Sequence, residues 1–286
     1  MNRSIMIVFA VVTLVFAFNE NSGSRESSIN RDIQYDAGNS YDLVLINDWT
    51  IADQALGLDV YISPSEFLVM STNSSNNCVQ AYDAVSGIPM GGQQPLDPAN
   101  ESCFGMSWNN DFMSQTYYVN DTQKTNLFFT DNGTSWTTVA DPSGLSGRGM
   151  DFDGTDYWTT NGNGGGLWRF QPGSSQENIS IPEVPTEPSG LTVFPNGGSL
   201  GIAVTTYDTH NIYFYMWSNS TLTYHGSAAC PASNVSFSYG LAYAESNNHI
   251  FWSYEDTSGN FHLVEFSFSQ SQALTSSSWG SIKGSF

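Results

Sequence analysis

Basic residues are scarce in this chain. Only 7 of its 286 residues are Lys or Arg, against 27 Asp or Glu, and the formal net charge is −20. Nucleic acids and anionic membrane surfaces are bound through clustered Lys and Arg side chains. The composition therefore argues against a nucleic-acid partner and against adsorption to an anionic bilayer. A strongly acidic surface is typical of a protein that must stay soluble outside the cell.

Long apolar runs are missing after the first 18 residues. Ile5–Phe18 is an almost continuous run of apolar residues, and the positively charged Arg3 precedes it. Val15 and Ala17 fit the small residues of a signal-peptide cleavage site. The run is short for a membrane-spanning helix. It predicts a cleaved signal peptide over residues 1–17, with an uncleaved anchor as the alternative. We therefore expect a secreted or cell-surface protein with no membrane insertion after cleavage.

Helical periodicity is also absent, and a repeat takes its place. Gly followed by an aliphatic residue opens five segments, 48, 44, 41 and 50 residues apart. These openers are Gly57-Leu58, Gly105-Met106, Gly149-Met150, Gly190-Leu191 and Gly240-Leu241. Up to four short strand patterns separated by turn residues follow each opener, which is typical of β-propeller blades. The opener glycine would let the innermost strands approach each other closely around the axis.

Five openers predict an all-β, five-bladed propeller of four-stranded blades. We expect the domain over residues 41–274, after a disordered leader (18–40) and before a C-terminal tail (275–286). The strand pattern Tyr41–Ile51 precedes the first opener, so it is predicted to close the ring as the outer strand of the last blade. Closure by Ala273–Trp279 is the competing interpretation, and a sixth, degenerate blade built from both termini is a further alternative.

One repeat carries a resemblance to known proteins. Gly149–Phe170 (GMDFDGTDYWTTNGNGGGLWRF) resembles the repeats of secreted bacterial NHL and gluconolactonase-like propellers. The resemblance extends over about residues 42–270 at the level of architecture, and it implies the fold rather than an activity. Gluconolactonase-like enzymes hold a divalent metal with Glu, Asn and Asp at the channel. No matching set aligns here, so no metal site is predicted.

Two carboxylates are expected near the axis. Asp59 and Asp151 each lie two residues after an opener, on innermost strands. Such a pair could bind a cation, leaving room for a calcium ion, or act as an acid and base. The matching positions in the other repeats are not acidic; they are Ser107, Thr192 and Ala242. The set is incomplete for a glycosidase, which favours a binding role over catalysis.

Further candidate ligand contacts are one cation and two aromatic residues. Arg148 lies directly before the third opener. Pairing with Asp151 is the favoured prediction because acidic residues are abundant nearby, and contact with an anionic ligand is the alternative. Trp108 and Trp158 could stack on sugar rings, although tryptophan in propellers more often fills the core between blades.

Cysteine is scarce as well, and three residues leave at least one thiol unpaired. Cys78 begins the third strand of the first repeat, and Cys103 precedes the second opener. Both positions fall on the same face of adjacent blades, so a Cys78–Cys103 disulfide is one prediction, with Cys230 as the free thiol.

These features predict a secreted, non-catalytic propeller that binds an extracellular glycan or protein. One alternative is an extracellular hydrolase or lactonase acting on a carbohydrate-like substrate through the channel carboxylates. A structural surface or adhesion component is another alternative, suggested by the tail.

Overall fold

Five four-stranded antiparallel sheets form the described part of the chain. The computed structural model describes residues 39–108, 117–164, 166–174 and 176–272. Blade 1 comprises β2 (Leu58–Ile62), β3 (Phe67–Asn73), β4 (Cys78–Asp83) and β5 (Pro89–Pro95). Blade 2 comprises β6 (Cys103–Trp108), β7 (Tyr117–Asp121), β8 (Asn126–Thr130) and β9 (Thr137–Ala140). Blade 3 comprises β10 (Gly147–Phe152), β11 (Tyr157–Asn161), β12 (Leu167–Phe170) and β13 (Gln176–Ile179). Blade 4 comprises β14 (Pro188–Asn196), β15 (Ser199–Thr206), β16 (Asn211–Ser218) and β17 (Thr221–Ala229).

The fifth blade joins the two ends of the domain. It comprises β18 (Val235–Ala244), β19 (His249–Asp256), β20 (Phe261–Gln272) and, outermost, β1 (Asn39–Ile51). The innermost strands touch in cyclic order, β2 on β6, β6 on β10, β10 on β14, β14 on β18 and β18 on β2. This closed order confirms the five-bladed propeller and excludes a sixth blade among the described residues.

The N-terminal strand closes the ring, as predicted, and begins two residues earlier than expected. β1 pairs antiparallel with β20 from Asn39 opposite Gln272 to Ile51 opposite Phe261. The predicted signal peptide, the tail and the competing closing segment 273–279 lie outside the described residues. No helix suited to crossing a membrane occurs in the part of the chain that the structure describes.

Apolar side chains fill the spaces between neighbouring blades. Between blades 5 and 1, for example, Leu58 and Val69 pack with Phe251 and Leu263, all of them buried. Inner strands are buried on both faces because each blade packs against a neighbour on either side. Their side chains therefore alternate between two cores rather than between core and solvent.

The five opener glycines form a closed ring around the axis. A Cβ atom built on any of them would come within 3.0 Å of the backbone of the next blade. Gly57 faces Gly105, Gly149 faces Gly190, Gly190 faces Gly240, and Gly240 faces the strand that Gly57 opens. Any side chain here would push two blades apart, because real Cβ contacts are essentially never this short.

Polar side chains of the second strands reinforce this ring. Thr72, Asn120, Thr205 and Ser253 each accept a hydrogen bond from the opener N–H of their own blade, at 2.8–3.0 Å. Several of these side chains also donate to the carbonyl oxygen just before the opener of the next blade. Asn120 donates to Arg148 O at 2.6 Å, and Thr72 donates to Phe104 O. One side chain thus satisfies buried backbone groups of two blades.

The glycine ring predicts a sharp contrast between two Gly→Ala variants. Gly105→Ala places its methyl group against Arg148 O, whereas the exposed Gly92 in β5 has open space around it. Neither residue has a positive φ. We expect Gly105→Ala to lower the free energy of unfolding by about 3 kcal/mol or more and Gly92→Ala to change it by less than about 1 kcal/mol. Guanidinium unfolding measures both; equal, small effects would contradict the close approach.

Strand β1 is held to blade 5 by side chains as well as by its ladder. Asn47 donates to Glu265 at 2.6 Å, and Asp48 contacts His262 at 2.7 Å. Tyr41 stacks on Phe214 of blade 4, with ring centroids 3.9 Å apart. The strand therefore covers the edge of β20 and part of the core between blades 4 and 5.

We expect a chain that starts at residue 52 to lose the cooperative unfolding transition of a chain that starts at residue 39. Without β1, the ladder groups of β20 and the aromatic core beneath the strand are exposed to water. Guanidinium unfolding and binding of a hydrophobic dye measure the difference. An unchanged midpoint in the shorter chain would contradict ring closure by β1.

Candidate ligand site at the channel mouth

A pocket of about 220 Å³ opens at one end of the propeller axis. We call this end the mouth face: the innermost strands begin there, and the turns between second and third strands reach it because neighbouring strands are antiparallel. All five blades contribute. The apolar part of the lining consists of Leu56, Phe104, Tyr207 and Tyr239, and the polar part includes Gln54, Ser74, Ser102 and Thr122.

Arg148 is the charged residue of this lining. Its guanidinium carbon lies 4.6 Å from the centroid of the Phe104 ring and 5.6 Å from that of Tyr207. Burial lowers the pKa of Arg148, while the nearby Glu187 and Tyr207 act in the opposite direction. An arginine stays protonated at neutral pH even so, so the mouth holds a positive charge against aromatic faces.

Arg148 does not pair with Asp151 as the sequence had favoured. The ion pairs among the described residues do not include Arg148. Asp151 instead accepts hydrogen bonds from the Phe152 and Val193 amides, both at 2.7 Å, and from Thr192 Oγ1. The predicted alternative for Arg148, contact with an anionic ligand, stays a prediction.

Asp59 and Asp151 both lie on innermost strands, and both serve the contact between blades. Asp59 is 6 % exposed, and its carboxylate accepts the N–H groups of Val60 at 2.6 Å and Trp108 at 2.5 Å. Asp151 accepts backbone N–H groups of its own blade and of the next one in the same way. These carboxylates clamp neighbouring blades and do not line the mouth pocket.

The pKa values of both carboxyl groups are raised, and the charge of Asp151 contributes to the shift of Asp59. Burial, helped by the charge of Asp151, holds the pKa of Asp59 well above its usual range. Burial raises the pKa of Asp151 to about 6, although its hydrogen bonds favour the charged form. No cluster of three or more His, Cys, Asp or Glu side chains suited to a metal ion occurs among the described residues.

The two candidate tryptophans lie in the cores between blades. Trp158 is 0 % exposed and donates to Asp153 Oδ2 at 2.7 Å. Trp108 is 7 % exposed and stacks on Tyr117, with centroids 4.8 Å apart. Both occupy the core position that the sequence favoured over ligand contact, and neither presents a ring face to solvent.

The cysteines are three buried free thiols, so this structure lacks the predicted Cys78–Cys103 disulfide. Cys103 belongs to the core cluster around Met106 and Val119, which also contains Val79, the residue after Cys78. Burial raises the pKa of Cys103 to about 12, with a smaller contribution from Cys78. Such thiols are poor nucleophiles because the thiolate is the reactive form.

Three residues missed by sequence reasoning, Leu56, Phe104 and Tyr239, share the repeat position of Arg148, which the sequence had singled out. Leu56, Phe104, Arg148 and Tyr239 each directly precede an opener glycine, and all four line the pocket. Two aromatic residues and a cation at the same repeat position were a usable signal. Tyr207, in the turn after the second strand of blade 4, gave no comparable signal.

Comparisons with known proteins establish the fold alone. No protein-family profile and no curated protein sequence matches the chain. A glutaminyl cyclase from Myxococcus xanthus has a TM-score of 0.58 at 12 % identity, with 80 % of this chain and 97 % of that one covered. A chain of a nidogen/laminin complex gives 0.52 at 13 %, covering 78 % and 87 %. A gluconolactonase from Xanthomonas campestris gives 0.51 at 11 %, covering 77 % and 89 %. The resemblance to gluconolactonase-like propellers is thus confirmed for the architecture.

The raised carboxyl pKa values predict how stability depends on pH. The folded protein binds the protons of these two carboxyl groups more tightly than the unfolded chain, in which the pKa of aspartate is about 4. The contribution of Asp151 to stability is therefore fully present below about pH 4 and falls as the pH rises through about 6. The stability of the wild type relative to Asp151→Asn should decrease between these values, as measured by urea unfolding at each pH. An increase over the same interval would contradict the raised pKa.

Proposed function

We propose that this protein is a secreted, non-catalytic binding protein that takes a carbohydrate at the mouth of its propeller channel. The observation that carries the proposal is the lining of the mouth pocket. Aromatic faces from blades 2, 4 and 5 lie beside amide and hydroxyl groups from blades 1 and 2 and from the segment after β1. Phe104 and Tyr239 are 3 % and 1 % exposed, so Tyr207, which is half-buried, is the ring that a sugar could contact. An apolar ring next to hydrogen-bonding groups suits a sugar, which has apolar C–H faces and polar edges.

A binding role fits the chemistry of the pocket better than hydrolysis. The lining contains no carboxylate or histidine, and its thiol, Cys103, is buried with a raised pKa. The carboxylates that a hydrolase or lactonase would use, Asp59 and Asp151, are already bound to backbone N–H groups between blades. A general acid or base must instead reach the reacting group.

Two polar groups of the pocket belong to a chain of hydrogen bonds. Gln54 donates to Tyr239 OH at 2.8 Å, and Tyr239 OH donates to Glu255 at 2.6 Å. This chain of hydrogen bonds fixes the orientation of the Tyr239 ring. At 1 % exposure, Tyr239 is a rigid wall of the pocket. A rigid wall reduces the entropy lost when a ligand binds.

Filling the pocket should abolish binding. Ser74 lines the pocket on the mouth face, whereas Ser65 lies exposed in the first turn of the same blade at the opposite end. On a glycan array, we expect the mature protein and Ser65→Trp to bind the same glycans. Ser74→Trp should lose at least tenfold in affinity, because its indole occupies the pocket. Identical binding by both variants, or no glycan bound by the unaltered protein, would refute the proposed function.

A further inference from the structure

Arg148 differs from the other basic residues of the propeller. The described residues contain three Lys or Arg side chains, at positions 124, 148 and 169. Lys124 pairs with Glu101 at 3.3 Å, and Arg169 pairs with Asp156 and, at 3.8 Å, with Glu177. Arg148 has no such pair among the described residues, although the chain carries 27 acidic residues. Its charge lies against the rings of Phe104 and Tyr207 and near Glu187, and no ion pair among the described residues neutralises it.

The guanidinium group is held in a defined place. Phe104 and Tyr207 contact it from two sides, and Gly162 is so close that a Cβ there would lie 2.5 Å from Arg148 Nε. Nε is buried and has no hydrogen-bond partner among the described groups. A buried donor without a partner is costly. Because Nε is closed to solvent beside Gly162, a ligand in the pocket would meet the other nitrogens of the guanidinium group.

The charge of the pocket selects the ligand. Arg148 is the charged lining residue. Two carboxylates act on lining residues from outside the lining: Glu187 acts on Arg148, and Glu255 accepts a hydrogen bond from Tyr239 OH. An amino acid or a peptide N-terminus would leave its positive charge beside the guanidinium. A carboxylate instead matches the planar fork of arginine, which can donate two parallel hydrogen bonds.

The size of the pocket limits how much of a ligand it takes. At about 220 Å³ it is smaller than pockets that enclose drug-sized molecules, which are about 300–1,000 Å³. One sugar ring is of a suitable size, and a longer chain would have to extend outward from the mouth. The site is therefore suited to a terminal sugar unit or a free monosaccharide.

We propose that the carbohydrate bound at the mouth is an acidic sugar whose carboxylate pairs with Arg148. This proposal rests on the proposed function and names its ligand class, a hexuronic acid. The sugar carboxylate contacts the guanidinium, the ring packs against the aromatic lining, and the ring hydroxyls reach Gln54, Ser102 and Thr122.

Isothermal titration calorimetry of the mature chain tests the charge requirement. The probes are glucuronic acid, its neutral methyl ester and glucose, each at low salt. We expect glucuronate to bind at least tenfold more tightly than the ester or glucose, and its affinity to fall as salt is raised. Comparable affinities for the three sugars, or no binding of glucuronate, would overturn the proposal.

Two arginine variants locate the contact. Arg148→Gln should lose at least tenfold in glucuronate affinity while its weak binding of glucose is unchanged. Arg169→Gln removes the same charge from blade 3 away from the mouth and should bind as the unaltered protein does. Unchanged glucuronate affinity in Arg148→Gln would overturn the proposal. The sugar series on the unaltered chain decides the matter even if Arg148→Gln does not fold.

These results separate the two proposals. If neutral and acidic sugars bind equally and Ser74→Trp abolishes binding, the acidic-sugar proposal fails and the mouth remains a carbohydrate site. If Ser74→Trp and Ser65→Trp bind glycans alike, the proposed function fails as well.

Discussion

Backbone contact between glycines around the axis is the constraint on which the structure depends. Because these five positions carry no side chain, each innermost strand lies against the next, and the inner strands of the blades are largely buried on both faces. The same approach brings the opener N–H of one blade and a carbonyl of the next within reach of one side chain, such as Asn120. It also brings the residues before the openers together at the mouth. A binding pocket thus forms where residues far apart in sequence meet.

Much of the architecture could be predicted because it depends on local patterns. The Gly-aliphatic openers marked the innermost strands, and the strand before Gly57 was most simply placed as the outer strand of the last blade. The outer strand β5 was missed since its sequence, Pro89–Pro95, is rich in Gly and Pro and is exposed at a sheet edge, where strand propensity is a weak guide. The hydroxyl and amide side chains that bridge blades were missed because nothing local shows which backbone groups they meet.

The candidate site was harder to predict than the fold. Counting from the openers correctly put Asp59 and Asp151 on the innermost strands, yet their role depends on N–H groups of the next blade. Trp158 lies between blades because the strand that follows the Asp153 turn is buried on both faces. Arg148 was identified as a candidate from its position, whereas the aromatic rings around it come from blades 2 and 4. A site formed by residues of several blades can be predicted only when the arrangement of the blades in the ring is known.

Native-state hydrogen exchange at the opener amides tests the central claim most directly, namely that the axial contacts lock the blades into one cooperative unit. The relevant amides are those of Gly57, Gly105, Gly190 and Gly240, which donate to second-strand side chains. If the ring opens only as a whole, all four exchange with the same opening free energy, equal to that of global unfolding. Exchange of one opener at a much lower opening free energy would show that a single blade separates from the ring, and would contradict the account.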